Sequence, residues 1–216
     1  VAEGKVGKDL SEAIFKKPNN VPKFAEVSNL GVKVLKGPVL DGVSEEILAE
    51  ITVNPSDEVN VAEALRKTGA DITVNLLPGG ASEASKRYAE EALKAKCAYV
   101  NATPVNIAAD KGWMERYSKA GLPIVGDDLT DQVGATMIHK ILLETLSKRG
   151  IRIIETYQLD VGGGTESLET RTRAKEVKRE IKTRAVESAL PYKAAVVAGS
   201  TDYVDFLENR RDSYFW

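Results

Sequence analysis

Two carboxylates stand side by side at Asp127 and Asp128, inside the stretch "PIVGDDLTDQVGATMIHKILLETLSKRG" that runs from Pro123 to Gly150. The apolar run before them reads as a strand and the run after them as a helix. The pair therefore lies where an open α/β sheet builds its ligand sites, beyond the carboxyl end of a strand. A carboxylate there can accept hydroxyl hydrogens or orient a cation; it can equally cap the helix that follows. Farther along, Lys178 and Lys182 are four residues apart in "AKEVKREIKTRAVES" and share a face if that segment is helical. Neighbouring ammonium groups can clamp a phosphate or hold an oxyanion, and a lysine among other cations can act as a base. The same run can also be a solvated basic face. Two other strand-like runs end on small or polar residues, Pro78, Gly79 and Gly80 in "LLPGG" and Asn101, Ala102 and Thr103 in "NATP". With Gly126, Asp127 and Asp128 these would form one ligand-binding rim, although turn chemistry accounts for any one of them taken alone.

The elements that must hold these residues follow from two alternating periods. "ADITVNLLP" (Ala70–Pro78) is a β-branched run that reads as a strand buried on both faces. "SDEVNVAEALRKTG" before it reads as a helix with Ser56 as N-cap and Gly69 as its end. Ser82–Lys96 reads as a helix with Ala84, Tyr88, Ala92 and Leu93 on one stripe. "CAYVNATP" is the next strand, "DKGWMERYSKAG" a short helix and "LPIVGDD" a further strand. Val133, Met137, Ile138, Ile141, Leu142 and Leu146 mark the inner face of a long helix that Gly150 stops, and "IRIIETYQLDVG" follows as a strand. Repeated strand–helix units of this length indicate an α/β fold with a parallel sheet and right-handed crossovers.

Composition excludes several classes. Thirty basic and 32 acidic residues give a formal net charge of −2, so no bulk field draws the chain onto nucleic acid or an anionic membrane. No apolar run approaches the roughly 20 residues that span a bilayer. Cys97 is the single cysteine and His139 the single histidine, which rules out a disulfide framework and disfavours a zinc site; the expectation is no bound metal and a reducing, cytoplasmic setting. His139 reads as a packing or hydrogen-bonding residue within the fold. "GGGTES" (Gly162–Ser167) is glycine-rich but matches neither the dinucleotide G-x-G-x-x-G nor the P-loop spacing, and the dinucleotide fingerprint is found nowhere in these 216 residues.

Taken together, "KVGKDLSEAIF", "GPVLDGV", "YVNATPVNIA", "PIVGDDLTDQVGAT" with a histidine three residues on, "RGIRIIETYQLDVGGG" and "STDYVDFLENRR" resemble the myo-inositol-1-phosphate (inositol-3-phosphate) synthase family, in its shorter archaeal and actinobacterial form. Their order and spacing match across nearly the whole chain. The resemblance implies a Rossmann-like parallel sheet lacking its first β-α unit over residues 1–160, an NAD-binding portion, followed at 161–216 by the start of an α+β catalytic and tetramerisation domain. It implies an internal fragment of such an enzyme, inactive alone, because the family's glycine loop and ribose-binding acid have no counterpart here.

The activity implied is the NAD-dependent conversion of glucose 6-phosphate to myo-inositol 1-phosphate, by a cytoplasmic homotetramer that takes no nucleic acid or membrane as partner. By resemblance, Asp128 contacts the cofactor and orders a lysine, Lys178 and Lys182 handle the substrate, and Pro78–Gly80, Asn101–Thr103, Gly126, Asp127, Asp131, Gly163 and Gly164 line the cofactor. Departures from the family pattern fall at Gly164 in place of an asparagine, Asp131 in place of a serine, and Asn209-Arg210-Arg211 in place of Asp-x-Lys. Arg211 keeps a positive charge and could clamp phosphate, but it cannot serve as a base. Two alternatives stay open at this stage: another NAD-dependent oxidoreductase on the same scaffold, and a non-catalytic nucleotide-binding or assembly module.

Overall fold

The computed structural model describes residues 4–16, 23–41, 48, 52–129, 133–163, 167, 175–204, 207 and 211–215. The chain forms two compact units, Val1–Asp127 and Asp128–Trp216. Among the described residues no helix is long and apolar enough to cross a membrane.

In the first unit a one-turn helix α1 (Leu10–Ala13) is capped by Asp9, which accepts from the Ser11 N–H. Helix α2 (Val61–Thr68) begins at Asn60, whose side chain accepts from the Glu63 N–H at 3.0 Å, and closes on Gly69 in the left-handed conformation. The expected cap at Ser56 is thus a correction. Asn60 stands three residues before Glu63, a capping-box spacing that starts the helix four residues later, while Ser56 turns back onto the side chain of Asn54. Strands β1 (Ile72–Asn75), β2 (Ala98–Asn101) and β3 (Ile124–Gly126) form a parallel sheet in that order, interleaved with helices α3 (Ser82–Ala95) and α4 (Lys111–Lys119). Strand register puts Thr73, Tyr99 and Ile124 on one row and Val74, Val100 and Val125 on the next.

Tyr99 is fully buried and its hydroxyl donates to the Ser85 carbonyl of α3; Tyr117 does the same to the Ala89 carbonyl, and burial pushes both phenols up from their usual pKa. These rings, with Ala89, Ala92, Cys97, Val105 and Ile107, make the core of the unit. The opposite face of the sheet is open. Ile72, Val74 and Val125 are 54–58% exposed, so β1 is not buried on both faces as its β-branched run suggested. Strand propensity reports a fit to the pleat and not how many faces are covered. The first turn of α3 lacks a side-chain cap of its own; Asp41 supplies one from far off in sequence, accepting from the Glu83 and Ala84 N–H groups at 2.7 and 2.9 Å.

The second unit contains helix α5 (Ala135–Lys148), strand β4 (Glu155–Gly162), helix α6 (Lys175–Glu187), strand β5 (Ala195–Tyr203) and strand β6 (Arg211–Phe215). The sheet order is β5-β4-β6, with β4 parallel to β5 and antiparallel to β6. Residue 160, the expected domain boundary, lies inside β4, and the two units divide between Asp127 and Asp128. The core is Leu143, Val186, Ala189, Leu190, Val196 and Ala198.

The buried residues of α5 are His139 and Leu143. Ile138, Ile141 and Leu142 are exposed and Val133 precedes the helix, which corrects the expected inner stripe. The helix is rotated because His139 is pinned by hydrogen bonds to β4, and a buried polar anchor outweighs the apolar period. Strand β5 carries a bulge: Tyr157 pairs with Val197, but Leu159 pairs with Ser200, so β5 holds one residue more than β4 over that span. Gly199 sits in the bulge at φ 82°, and α6 crosses so closely there that a Cβ on Gly199 would lie 2.8 Å from Lys182 Cδ and 3.1 Å from Arg179 Cα.

Candidate functional site

Every second residue of β4 points into the second unit, and three of these are polar: Thr156, Gln158 and Asp160, all buried. Asp160 is fully buried and is the centre of the cluster. Lys182 Nζ on α6 lies 2.6 Å from its Oδ2, while Gln158 Nε2 (3.2 Å) and the Ser213 hydroxyl on β6 (2.7 Å) donate to its Oδ1. The Lys182 side chain is 23% exposed, so the ion pair has a buried end and a wet end.

The carboxylate sets everything behind it. It can only accept, so the Gln158 amide must turn its NH₂ toward Asp160 and its carbonyl toward His139. His139 Nδ1, 3.2 Å from Gln158 Oε1, must then donate, and Nε2 accepts from the Thr156 hydroxyl at 2.8 Å. Burial lowers the pKa of His139 from its usual value, outweighing the hydrogen bond to Gln158, which raises it. A neutral imidazole of one defined tautomer results.

At the carboxyl ends of the first unit's strands, Asn101 and Asp127 form a second polar cluster. Asn101 is buried; its amide accepts from Asn75 at 2.8 Å and donates to Asp127 Oδ1 and the Val105 carbonyl, both at 2.7 Å, and to the Thr103 carbonyl at 3.2 Å. Asp127 also accepts from the backbone N–H groups of Ile107, Ala108 and Ala109 at 3.0, 2.8 and 3.2 Å. These two side chains are committed to shaping the loop after β2. Thr103 is buried with them. The residues they leave toward solvent are Pro78, Gly126 and Asp128, with Gly79, Gly80 and Ala102 half-buried. Gly126 approaches so near the Asn101 carbonyl that a Cβ would sit 2.4 Å from its oxygen. Asp128 has φ 75° and does not act as the N-cap of α5, which is Gly134.

Among the residues expected from sequence, the structure thus joins Lys182 to a buried carboxylate and Asn101 to Thr103 and Asp127. Lys178 is half-buried one turn before Lys182 on α6. Gly163 follows β4, and Arg211 opens β6 in register with Gly162; the Arg211 side chain, Asp131 and Gly164 lie outside the described residues. Sequence reasoning missed Asp160, Gln158 and Ser213 as site residues. A signal existed: in "ETYQLDVG" Thr, Gln and Asp alternate strictly with Tyr, Leu and Val. The usual assumption that the apolar set faces inward hid it.

Residues 134–216 match the family model described as myo-inositol-1-phosphate synthase. The chain is 41% identical over 218 residues to the inositol-3-phosphate synthase of Mycolicibacterium smegmatis, covering 97% of this chain and 60% of that protein. It is 40% identical over 219 residues to the inositol-3-phosphate synthase of Corynebacterium glutamicum, with the same coverage on both sides. A crystal structure of a myo-inositol-1-phosphate synthase-related protein from Thermotoga maritima superposes with a TM-score of 0.69 at 23% identity, covering 100% of this chain and 63% of that one; at such identity the likeness is one of fold. The chain spans about 60% of the length of the curated relatives it matches. On this identity, maintained through both units, the chain belongs to the myo-inositol-1-phosphate synthase family.

Proposed function

We propose that this chain forms part of an NAD-dependent synthase that converts glucose 6-phosphate to myo-inositol 1-phosphate by oxidation, enolisation, intramolecular aldol closure and reduction. The observation that carries the reading is the Lys182–Asp160 pair on β4 and α6, within the segment that matches the family model. The enolate and aldol steps place negative charge on oxygen, and a held ammonium in a partly dry site stabilises such charge far better than water does. Lys182 has its ammonium held 2.6 Å from Asp160 Oδ2 while its side chain stays 23% exposed, which suits an oxyanion or a phosphate oxygen. Lys178, one turn away on the same face, adds a second cation for the same substrate.

NAD, when bound, accepts and returns the two electrons of the oxidation. The rim of the first unit fits that group in donor chemistry. Asn101 and Asp127 brace the loop after β2 from within, and glycines at 79, 80 and 126 leave backbone close to solvent. Asp128, which opens the second unit, carries an exposed carboxylate of a kind that accepts from ribose hydroxyls or a carboxamide.

The test joins this chain at both ends to the remaining segments of the Mycolicibacterium smegmatis synthase and measures inositol phosphate released from glucose 6-phosphate with NAD. Release that is lost in Lys182→Ala supports the reading. A joined protein that folds and binds NAD yet forms no inositol phosphate refutes it.

A further inference from the structure

We propose that His139 and Gln158 are positioning residues for Lys182, acting on it through Asp160. The catalytic meaning of that placement rests on the function proposed above; the placement itself does not.

The row Thr156–His139–Gln158–Asp160 links four buried side chains by hydrogen bonds, and the Gln158 amide also reaches the Thr136 hydroxyl. Asp160 Oδ1 receives the Ser213 hydroxyl at 2.7 Å and Gln158 Nε2 at 3.2 Å, and the same Gln158 Nε2 lies 3.5 Å from Oδ2, so the amide straddles the carboxylate and holds its orientation. In that orientation Oδ2 meets Lys182 at 2.6 Å. A second observation, independent of the row, points the same way. The β5 bulge at Gly199 breaks strand register where α6 crosses, and the space left by the missing side chain is taken up by the Lys182 stem. The lysine is thus held at its root by β5 and at its tip by β4.

Packing alone does not account for this arrangement. Replacing a buried ion pair by apolar groups of equal volume is often neutral or stabilising, so a pair with three polar residues behind it is not the cheapest core. What the row adds is a fixed location for the ammonium.

The test reads Lys182 directly in the 216-residue chain. Trace acetic anhydride at about pH 8 acylates neutral, accessible amines, and mass spectrometry gives the Lys182 rate relative to Lys148, an exposed lysine at the far end of α5. In Gln158→Leu the link to Asp160 is cut. Lys182 labelling should rise severalfold, since a carboxylate free to turn holds the amine for less of the time. Two histidine variants separate positioning from bulk. In His139→Asn the amide nitrogen stands near Nδ1 and still donates to Gln158, so labelling should stay within about twofold of the parent. In His139→Gln the amide stands near Nε2, keeps Thr156 and loses Gln158, so labelling should rise by about fivefold or more. Melting curves identify folded samples, and the two amide variants remain informative if the leucine variant does not fold. Equal Lys182 labelling in folded His139→Asn and His139→Gln would mean the row is only structural and overturns the proposal. Because labelling needs no turnover, a failed inositol phosphate assay beside the expected labelling pattern refutes the proposed function and leaves the positioning intact.

Discussion

Replacing Gly199 by alanine tests whether the bulge sets the approach of α6. Two costs combine. A residue with a Cβ at φ 82° loses about 1–2 kcal/mol in the left-handed region. The new Cβ would also stand 2.8 and 3.0 Å from Lys182 Cδ and Cβ and 3.1 Å from Arg179 Cα, where carbon–carbon contact is comfortable at about 3.5–4.0 Å. Lys182 Cδ can swing aside, but Arg179 Cα is helix backbone and moves only with α6; overpacking of this kind costs about 1–3 kcal/mol. Loss of glycine's freedom in the unfolded chain returns about 0.4–1 kcal/mol. The net is about 3 kcal/mol. Gly150 is the control: it has the same φ of 82° and nothing within 4 Å of its missing Cβ, so Gly150→Ala pays only the backbone cost, about 1 kcal/mol net. At about 2–4 °C per kcal/mol for a chain of this length, Tm should fall by about 6–12 °C in Gly199→Ala and about 2–4 °C in Gly150→Ala. Thermal melts followed by far-ultraviolet circular dichroism, run side by side, decide it. Equal shifts for the two variants would show that α6 does not bear on Gly199, and the close-approach argument would fail.

Three other perturbations separate scaffold from chemistry. Asp127→Asn puts an NH₂ against backbone donors in the loop after β2 and should cost about 2–3 kcal/mol by urea titration, whereas exposed Asp128→Asn should melt like the parent and slow inositol phosphate formation in the joined protein by about tenfold or more. Lys178→Ala and Lys182→Ala should each lower kcat by about 100-fold, with the double variant far less harmed than the product; Lys182→Ala should also lose about 3 kcal/mol of stability, since it removes the cation at 2.6 Å from buried Asp160, and a Lys182→Ala protein that melts like the parent would refute the ion pair. The folded pKa of His139 lies below 6.5, so between that value and 6.5 the unfolded chain binds more protons, and stability rises with pH. Its contribution is complete above about pH 6.5 and is lost as pH falls toward the folded value; the parent's Tm should drop more steeply than that of His139→Asn over this window, and parallel pH profiles would contradict the burial argument.

Much of the fold was legible because the local signals agreed with one another. Gly69 could end α2 in the left-handed conformation, and Ala84 and Ala92 fell on one buried stripe of α3. The lysine pair was placed on one helical face by spacing alone. What was not legible depended on partners far away in sequence. The period of α5 pointed to Ile138, Ile141 and Leu142 as its inner face, but the helix turns to where His139 finds Thr156 and Gln158 on β4. Asp160 could not be read as the partner of Lys182, because 22 residues and a change of element separate them. Asp127 and Asp128 look alike in the sequence; the fold commits one to four donors and leaves the other exposed.

The borrowed cap on α3 has a consequence for exchange with solvent. First-turn amides of a helix ordinarily trade their hydrogens quickly, because nothing within the helix accepts them. Here the Glu83 and Ala84 amides are held by Asp41, some 42 residues upstream. Their deuterium uptake therefore reports whether the Asp41 segment is docked, not whether α3 is wound. Two backbone positions thus become a clock for an undocking event that leaves every helix and strand in place.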